Sequence, residues 1–454
     1  MENSAARVCG IHAGRLNLAE YAVNFSDAHP PLNRIQAVIE SERCYYCYDA
    51  PCTAACPTSI DIPAFIARIA QENLRGAAKE ILTANPLGAM CARVCPTEQL
   101  CEAACVRNTQ EDKPVEIGAL QRYATDHFMA SGGAPLWRRA VSSGKKVAVV
   151  GAGPAGLTCA HQLAVEGHDV VLLEAKPKLG GLNEYGLASY KTPGNFAQQE
   201  IDWLLSVGGI STRNNQRMGR DFTLASLLQE YDAVFLGLGL AGVNALGVEE
   251  PELQGLCNAV DFIADLRQAP DKASVPVGRR VVVVGGGMTA VDAAVQAKLL
   301  GAEEVSIFYR RGQSGLSASG VEQQWAKQHG VSLRLWAAPQ AILAAGGKVT
   351  GIRMAYTQEC EGKLVVMPET FDVQADMVLK AIGQTFVEPS GCSVVLRDGR
   401  IATDAEGRTS VDRVWAGGDC RAGGQDLTVE AVAHGKAAAQ SIHQMLCSTV
   451  DISA

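Results

Sequence analysis

Between Cys44 and Cys105 the chain concentrates eight of its fifteen cysteines. They read Cys44-x2-Cys47-x4-Cys52-x3-Cys56-Pro57 and, after a gap, Cys91-x3-Cys95-Pro96-x4-Cys101-x3-Cys105. Thiolates held this close together on turns suit a soft metal, and the two Cys-Pro ends point to iron–sulfur clusters. In ferredoxin-like runs the cysteine before proline ligates the other cluster, so two intertwined [4Fe–4S] centres are expected. Structural zinc uses paired CxxC-like knuckles, and only Cys44/Cys47 has that spacing. A disulfide framework belongs to small secreted domains, whereas Met1–Arg7 shows no apolar signal stretch.

A length of 454 residues leaves room for about three domains of ~150 residues each. Apolar residues make up 47% and glycines number 46, which suits an α/β protein rich in tight turns around ligands. A net charge of −8 without a basic block argues against nucleic acid as a partner. No apolar run approaches the ~20 residues a membrane helix needs. Clusters assemble on reduced thiols, so the expected compartment is the cytoplasm.

Residues 1–43 read as an extension followed by a short helix, with Leu32, Ile35, Val38 and Ile39 at helical spacing after Pro30-Pro31. Asp61-Ile62-Pro63 reads as an N-cap with proline in the first turn. Phe65, Ile66, Ile69, Leu74, Ile81 and Leu82 predict a helical pair joining the two cysteine groups, and a further helix covers about 115–129. Ser131-Gly132-Gly133-Ala134-Pro135 and Ser142-Ser143-Gly144 mark a linker near residue 140.

A buried strand, Lys146–Val150, then runs into Gly151-Ala152-Gly153-Pro154-Ala155-Gly156 and an apolar helix. Such glycines let the backbone approach a pyrophosphate lying on the helix N-terminus. A second strand, Val170–Leu173, ends in Glu174, eighteen positions beyond Gly156 and placed to bind a ribose hydroxyl. A second copy reads Val281–Val284 and Gly285-Gly286-Gly287-Met288-Thr289-Ala290. Its second strand, Val305–Tyr309, ends in Arg310-Arg311, which can clamp a 2′-phosphate or stand solvated. The first fold is therefore the expected flavin site and the second the expected nicotinamide site. Asp232–Gly239 and Asp376–Gly383 read as strands ending in small-residue turns. Val414–Ala416 runs through Gly417-Gly418 to Asp419, a candidate acceptor for a ribityl hydroxyl, and a helix follows from about Leu427.

Taken together these motifs resemble the two-dinucleotide-domain flavoproteins preceded by a helical iron–sulfur domain, namely glutamate synthase small subunits and dihydropyrimidine dehydrogenases. Five residues separate Cys95 from Cys101, as in dihydropyrimidine dehydrogenases, where glutamate synthase small subunits have three. Asp49-Ala50-Pro51-Cys52, Gly76-Ala77-Ala78-Lys79 and Asn85-Pro86-Leu87-Gly88 are similar to that enzyme too. The implied class is α/β: an α-helical iron–sulfur domain over 1–140, a discontinuous FAD domain over 141–254 and 385–454, and an inserted NAD(P) domain over 255–384. Together with the glycine motifs, the resemblance assigns FAD contacts to Gly151, Gly153, Pro154, Ala155, Gly156, Glu174, Gly181, Leu182, Lys191, Gly418, Asp419 and Thr428. NAD(P) contacts fall on Gly285, Gly286, Gly287, Met288, Thr289, Arg310, Arg311, Ala381 and Gly383, while Ser317 stands where the relative carries an arginine. Cys44, Cys47, Cys52 and Cys105 would hold one cluster; Cys56, Cys95, Cys101 and Gln121 would hold the other, leaving Cys91 out.

The single-chain enzyme continues into an FMN-binding barrel, and this chain stops before one. The expectation is an electron-input subunit that oxidises NAD(P)H, with NADPH favoured by the arginines, and passes electrons to a separate FMN subunit that reduces the pyrimidine. Hydride transfer to FAD needs no catalytic side chain. No cysteine lies between Cys257 and Cys360, so a redox dithiol in the second fold is not expected. A glutamate synthase small subunit and a non-catalytic redox sensor are the alternatives. Gln121 shares a helical stripe with Ile117, Ala124 and Phe128, so its buried amide needs a partner, either backbone or cluster iron.

Overall fold

Short polar residues start the helices of the cysteine-rich region. In the computed structural model, which describes residues 8–132 and 136–448, α1 (Arg34–Glu42) opens on Asn33, whose side chain accepts the Gln36 N–H. Asp61 caps α2 (Ile62–Ala70) and Asn73 caps α3 (Leu74–Ala84). Each cap satisfies a backbone donor that the helix leaves orphaned. Next come α4 (Gly88–Val94), which carries Cys91, and α5 (Ile117–Ala130), which carries Gln121. Phe65, Ile66, Ile69, Ile81, Ile117 and Leu120 form their shared core, and Cys44, Cys52, Cys56, Cys101 and Cys105 pack against it. On α1 the apolar stripe is not the buried face: Ile35 and Ile39 are exposed while Ala37, Glu40 and Ser41 are buried. Glu40 is drawn inward because it accepts the Glu116 N–H at 2.9 Å and pairs with Arg43.

After the linker, of which Gly133–Pro135 lie outside the described residues, the chain alternates strand and helix. The series is β1 (Lys146–Val150), α6 (Pro154–Val165), β2 (Asp169–Leu173), α7 (Phe196–Leu205), β3 (Ile210–Arg213) and β4 (Ala233–Leu236). A second series follows: β5 (Leu256–Asn258), β6 (Arg280–Val284), α8 (Met288–Leu299), β7 (Glu304–Tyr309), α9 (Gly320–Gln328) and β8 (Ser332–Leu335). An antiparallel sheet of β9 (Ala337–Ala345), β10 (Lys348–Cys360) and β11 (Lys363–Gln374) precedes β12 (Met377–Lys380). The chain then returns to the first sheet with β13 (Val414–Ala416) and closes on α10 (Thr428–Ser448).

Both five-stranded sheets are parallel, ordered β13-β4-β1-β2-β3 and β8-β7-β6-β12-β5. Their central strands are apolar almost throughout because both faces are covered, in the second sheet by helices on one face and by the β9–β11 sheet on the other. By packing, the chain divides into two units. One takes residues 8–28, 185–193 and 242–385; the other takes 29–184, 194–241 and 386–448. The first therefore includes three segments that the sequence pattern did not attach to it, 8–28, 185–193 and 242–254. Residues read as an extension form a helix, Leu18–Asn24, with a capping box between Asn17 and Glu20, and Ile11–His12 pairs with Val277–Gly278.

Candidate functional site

The cysteines form two groups. Cys44, Cys47, Cys52 and Cys105 line one hollow together with Ile62, Ile66, Val115 and Ile117. Burial pushes the Cys44 thiol up and the Cys52 thiol to about 11, and neighbouring sulfurs add to both. In the second group Cys95 is held well above the ordinary thiol range by its hydrogen bond with Cys91, by burial, and by Cys101 and Cys56. Burial likewise raises Cys101, with Glu102 and Cys56 adding to it. Thiols that make one another harder to ionise are the donor set that iron reverses, since a bound cation stabilises the thiolate. The thiols present have the donor chemistry of iron–sulfur clusters, with Cys56, Cys95 and Cys101 near one another and Cys91 among them, although among the described residues no three such donors converge closely enough to hold a metal ion as they stand. Both rivals for the last position are at hand: Cys91 is buried beside Cys95, and Gln121 is buried on α5. Gln121 Nε2 donates to Gly88 O at 2.7 Å, which leaves Oε1 as the end a metal can use.

At the first glycine loop, Gly151 adopts φ +95° and a side chain on Gly156 would lie 1.8 Å from Gly151 O. Gly181 packs so near that its Cβ would meet Gly153 Cα at 2.7 Å, and Gly418 lies beside Ala155. Glu174, at the end of β2, accepts the Ala152 N–H through Oε2 and the Lys176 N–H through Oε1, each at 2.8 Å. Thr428, the first residue of α10, donates its hydroxyl to Asn183 Oδ1 at 3.0 Å. Burial pushes the Asp419 carboxyl up to about 6, with Asp426 adding and Arg400 opposing. A buried acid of this kind is relieved by a hydroxyl donor such as a ribityl chain supplies. The bare backbone, the start of α6 and this acid fit FAD. Pro154, Ala155 and Leu182 lie on the same rim, in the first turn of α6 and at the start of the Leu182–Tyr185 turn.

Lys191, expected at the flavin, packs in the other unit. Its ammonium sits 2.8 Å from Asp292 on α8 and 2.7 Å from Glu322 on α9, which hold it charged against its burial. Tyr190 donates to Asp292 and Arg267 donates to Thr192, so this short segment is fastened to the nicotinamide-type fold at several points.

The second glycine loop has φ +150° at Gly285, where a side chain would lie 2.1 Å from Ala381 O. Gly286 is covered by Tyr309 and Leu316, and Gly287 approaches Ser317 Oγ. Met288 and Thr289 begin α8, while Gly383 O accepts the Asn244 N–H at 3.1 Å. Arg310 and Arg311 are exposed at the end of β7, and neither guanidinium forms an ion pair among the described residues. Thr357 Oγ1 holds Arg310 O at 2.8 Å, fixing the loop backbone while its side chains stay available.

Sequence reasoning missed Glu200 on α7. It is fully buried, and its Oε1 accepts the Ala89 N–H at 3.0 Å and the Met90 N–H at 2.9 Å in the first turn of α4. Burial lifts its carboxyl to about 7 against the pull of those donors and Arg93. Nothing in Gln198-Gln199-Glu200-Ile201-Asp202 separates this acid from a solvated one. Among the described residues no helix is long and apolar enough to cross a membrane.

Comparison with known proteins finds relatives of both the cysteine-rich region and the dinucleotide folds. The dihydropyrimidine dehydrogenase domain II, 4Fe–4S cluster family matches residues 21–133, and the pyridine nucleotide-disulphide oxidoreductase family matches residues 145–435. The NAD-dependent dihydropyrimidine dehydrogenase subunit PreT of Salmonella typhimurium is 34% identical over 92% of this chain and 96% of its own. The glutamate synthase (NADPH) small chain of Escherichia coli is 32% identical over 93% of this chain and 94% of its own. Mycobacterium tuberculosis FprA, solved with NADPH, has a TM-score of 0.56 at 19% identity over 68% of this chain and 86% of its own, a likeness of fold alone.

Proposed function

The chain belongs to the pyridine nucleotide-disulphide oxidoreductase family, with a dihydropyrimidine dehydrogenase iron–sulfur domain ahead of it, and from that premise we propose that it is the NAD(P)H-oxidising, electron-input subunit of a dihydropyrimidine dehydrogenase. The observation that carries this reading is the packing of two four-cysteine groups and a flavin-type glycine loop within one unit. When bound, FAD takes the hydride of NAD(P)H and two [4Fe–4S] clusters pass its electrons on singly. The α6 N-terminus and the glycine loop hold the pyrophosphate of FAD, Glu174 orders the loop, and Asp419 accepts from the ribityl chain. The second loop holds the pyrophosphate of the nicotinamide nucleotide. Arg310 and Arg311 grip a 2′-phosphate, which favours NADPH over NADH.

The electrons leave for a partner that carries FMN and iron–sulfur centres and reduces uracil or thymine to the 5,6-dihydropyrimidine. The Cys95-to-Cys101 spacing favours this partner over the large subunit of glutamate synthase. The test is reconstitution with each candidate partner. NADPH-dependent uracil reduction by the mixture, and by neither chain alone, supports the proposal. Glutamate formation with the glutamate synthase subunit in place of uracil reduction would overturn it. Protein that binds FAD and clusters yet passes no electrons from NADH or NADPH to ferricyanide would favour the sensor reading.

A further inference from the structure

Residues 434–436 form one stretch of α10 that touches both redox regions of its unit. The Gly418 N–H donates to His434 Nδ1 at 3.3 Å, on the loop expected to meet the flavin. At Gly435 a side chain would lie 2.2 Å from Ala155 O, so α10 crosses the start of α6 there without a spacer. Lys436 points elsewhere: its Nζ donates to Ala84 O, the last carbonyl of α3, at 3.0 Å. Ala84 packs against the apolar cluster on which Cys56 and Cys101, and also Cys44, Cys52 and Cys105, are packed. The ammonium is within Coulombic reach of the Cys56 sulfur.

Two features of this junction call for a negative group. Lys436 is half-buried and forms no ion pair among the described residues; its partner is a neutral carbonyl. A cation withdrawn from water against a carbonyl alone is poorly compensated. Asn85, the next residue after Ala84, is fully buried; its Oδ1 accepts the Leu87 N–H, but its Nδ2 has no partner among the described residues. A cation and an unused N–H thus meet at the turn that leads from α3 into α4 and its Cys91.

We propose that Lys436 compensates the charge of the cluster held by Cys56, Cys95 and Cys101, and so raises its potential as first acceptor from the flavin. The proposal rests on the electron-input reading. Each transfer moves one electron, supplied by NAD(P)H through the flavin, onto the cluster and later off it to the partner. No bond forms or breaks, and the cluster gains one negative charge while reduced. A fixed positive charge nearby favours that more negative state, and cluster potentials respond to local charge and to hydrogen bonds on sulfur.

The experiment is an EPR-monitored redox titration of the holoprotein beside Lys436→Met, which removes the charge at similar volume, and Lys436→Arg, which keeps it. The signal that Cys101→Ser removes identifies the cluster concerned. In Lys436→Met that cluster should become harder to reduce by about tenfold in the one-electron equilibrium, about 59 mV. The other cluster and Lys436→Arg should stay near the native values. Unmoved midpoints in Lys436→Met, or an equal drop in Lys436→Arg, would overturn the proposal. If Lys436→Met loses iron on purification, Lys436→Gln keeps a donor for Ala84 O and carries the same test. Native protein without reducible clusters would instead sink the electron-input reading itself.

Discussion

A side chain on Gly156 would lie 1.8 Å from Gly151 O, and one on Gly285 would lie 2.1 Å from Ala381 O. Both dinucleotide folds exclude a Cβ at the first glycine of the loop, since one on Gly151 would lie 2.2 Å from Gly237 O just past β4, much as one on Gly285 meets Ala381 O just past β12. They differ at the third position. The first loop also closes on itself there, so Gly156 is obligatory, whereas the second accommodates a fully buried Ala290. They differ again where the next strand ends. Glu174 uses both oxygens to order backbone, whereas Arg310 and Arg311 are exposed and form no ion pair among the described residues. The backbone device marks a dinucleotide, and the charge at the following strand end sorts which one.

The sharpest way to break this comparison is to fill the loops one at a time. Gly156→Val should yield protein with almost no bound flavin by absorbance after desalting, since the clash is with backbone that has nowhere to go. Gly285→Val should keep its flavin and lose flavin bleaching by NADPH. Full flavin in the first variant, or normal bleaching in the second, would show that the loops are misassigned.

A smaller effect is expected from the charges. Hydrogen bonds to charged groups contribute about 1.5–3 kcal/mol each. Replacing Arg310 or Arg311 singly by alanine should therefore cut kcat/KM for NADPH by about ten- to hundredfold, leaving NADH nearly unchanged. A native protein that strongly prefers NADH would show these arginines to be solvated bystanders.

Glu200 sharpens the comparison from outside the loops, because it ties α7 of the flavin fold to the start of α4. Glu200→Ala should lower stability by about 1–3 kcal/mol by stranding the Ala89 and Met90 N–H groups. Its carboxyl titrates near 7 in the folded chain against an ordinary 4.5. The folded state thus holds this proton more tightly than the unfolded one. That contribution is fully present below about pH 4.5 and is lost as pH rises through 7, a drop of about 3 kcal/mol. Glu200→Gln should flatten the dependence, read as thermal midpoints of the anaerobic holoprotein at pH 5 and 8. An unchanged slope would mean the native carboxyl is already ionised at pH 5.

What the sequence made legible follows from what each feature must satisfy. The glycine loops and cysteine groups were readable because backbone approach and metal ligation impose local spacing. The helix caps at Asp61 and Asn33 are likewise local, and so was the Asn17–Glu20 capping box, a pattern overlooked in a segment read as an extension. Glu200, Lys436 and the Lys191 ion pairs were not readable, because their partners lie 110, 352 and 101 or more residues away. A charged residue on an amphipathic helix is ordinarily solvated, and only tertiary packing reveals the exceptions. The same limit applies to α1, whose apolar Ile35 and Ile39 face outward because Glu40 is claimed by the backbone of the next segment.

The central claim is that a hydride entering at the second loop leaves as single electrons through the cysteine groups. Anaerobic mixing of the holoprotein with NADPH, followed by optical and freeze-quench EPR detection, tests it most directly. Flavin bleaching followed by a reduced iron–sulfur signal is expected, with both absent in Gly285→Val and the iron–sulfur signal diminished in Cys101→Ser. Bleaching of the native flavin with no iron–sulfur signal at any time would contradict it.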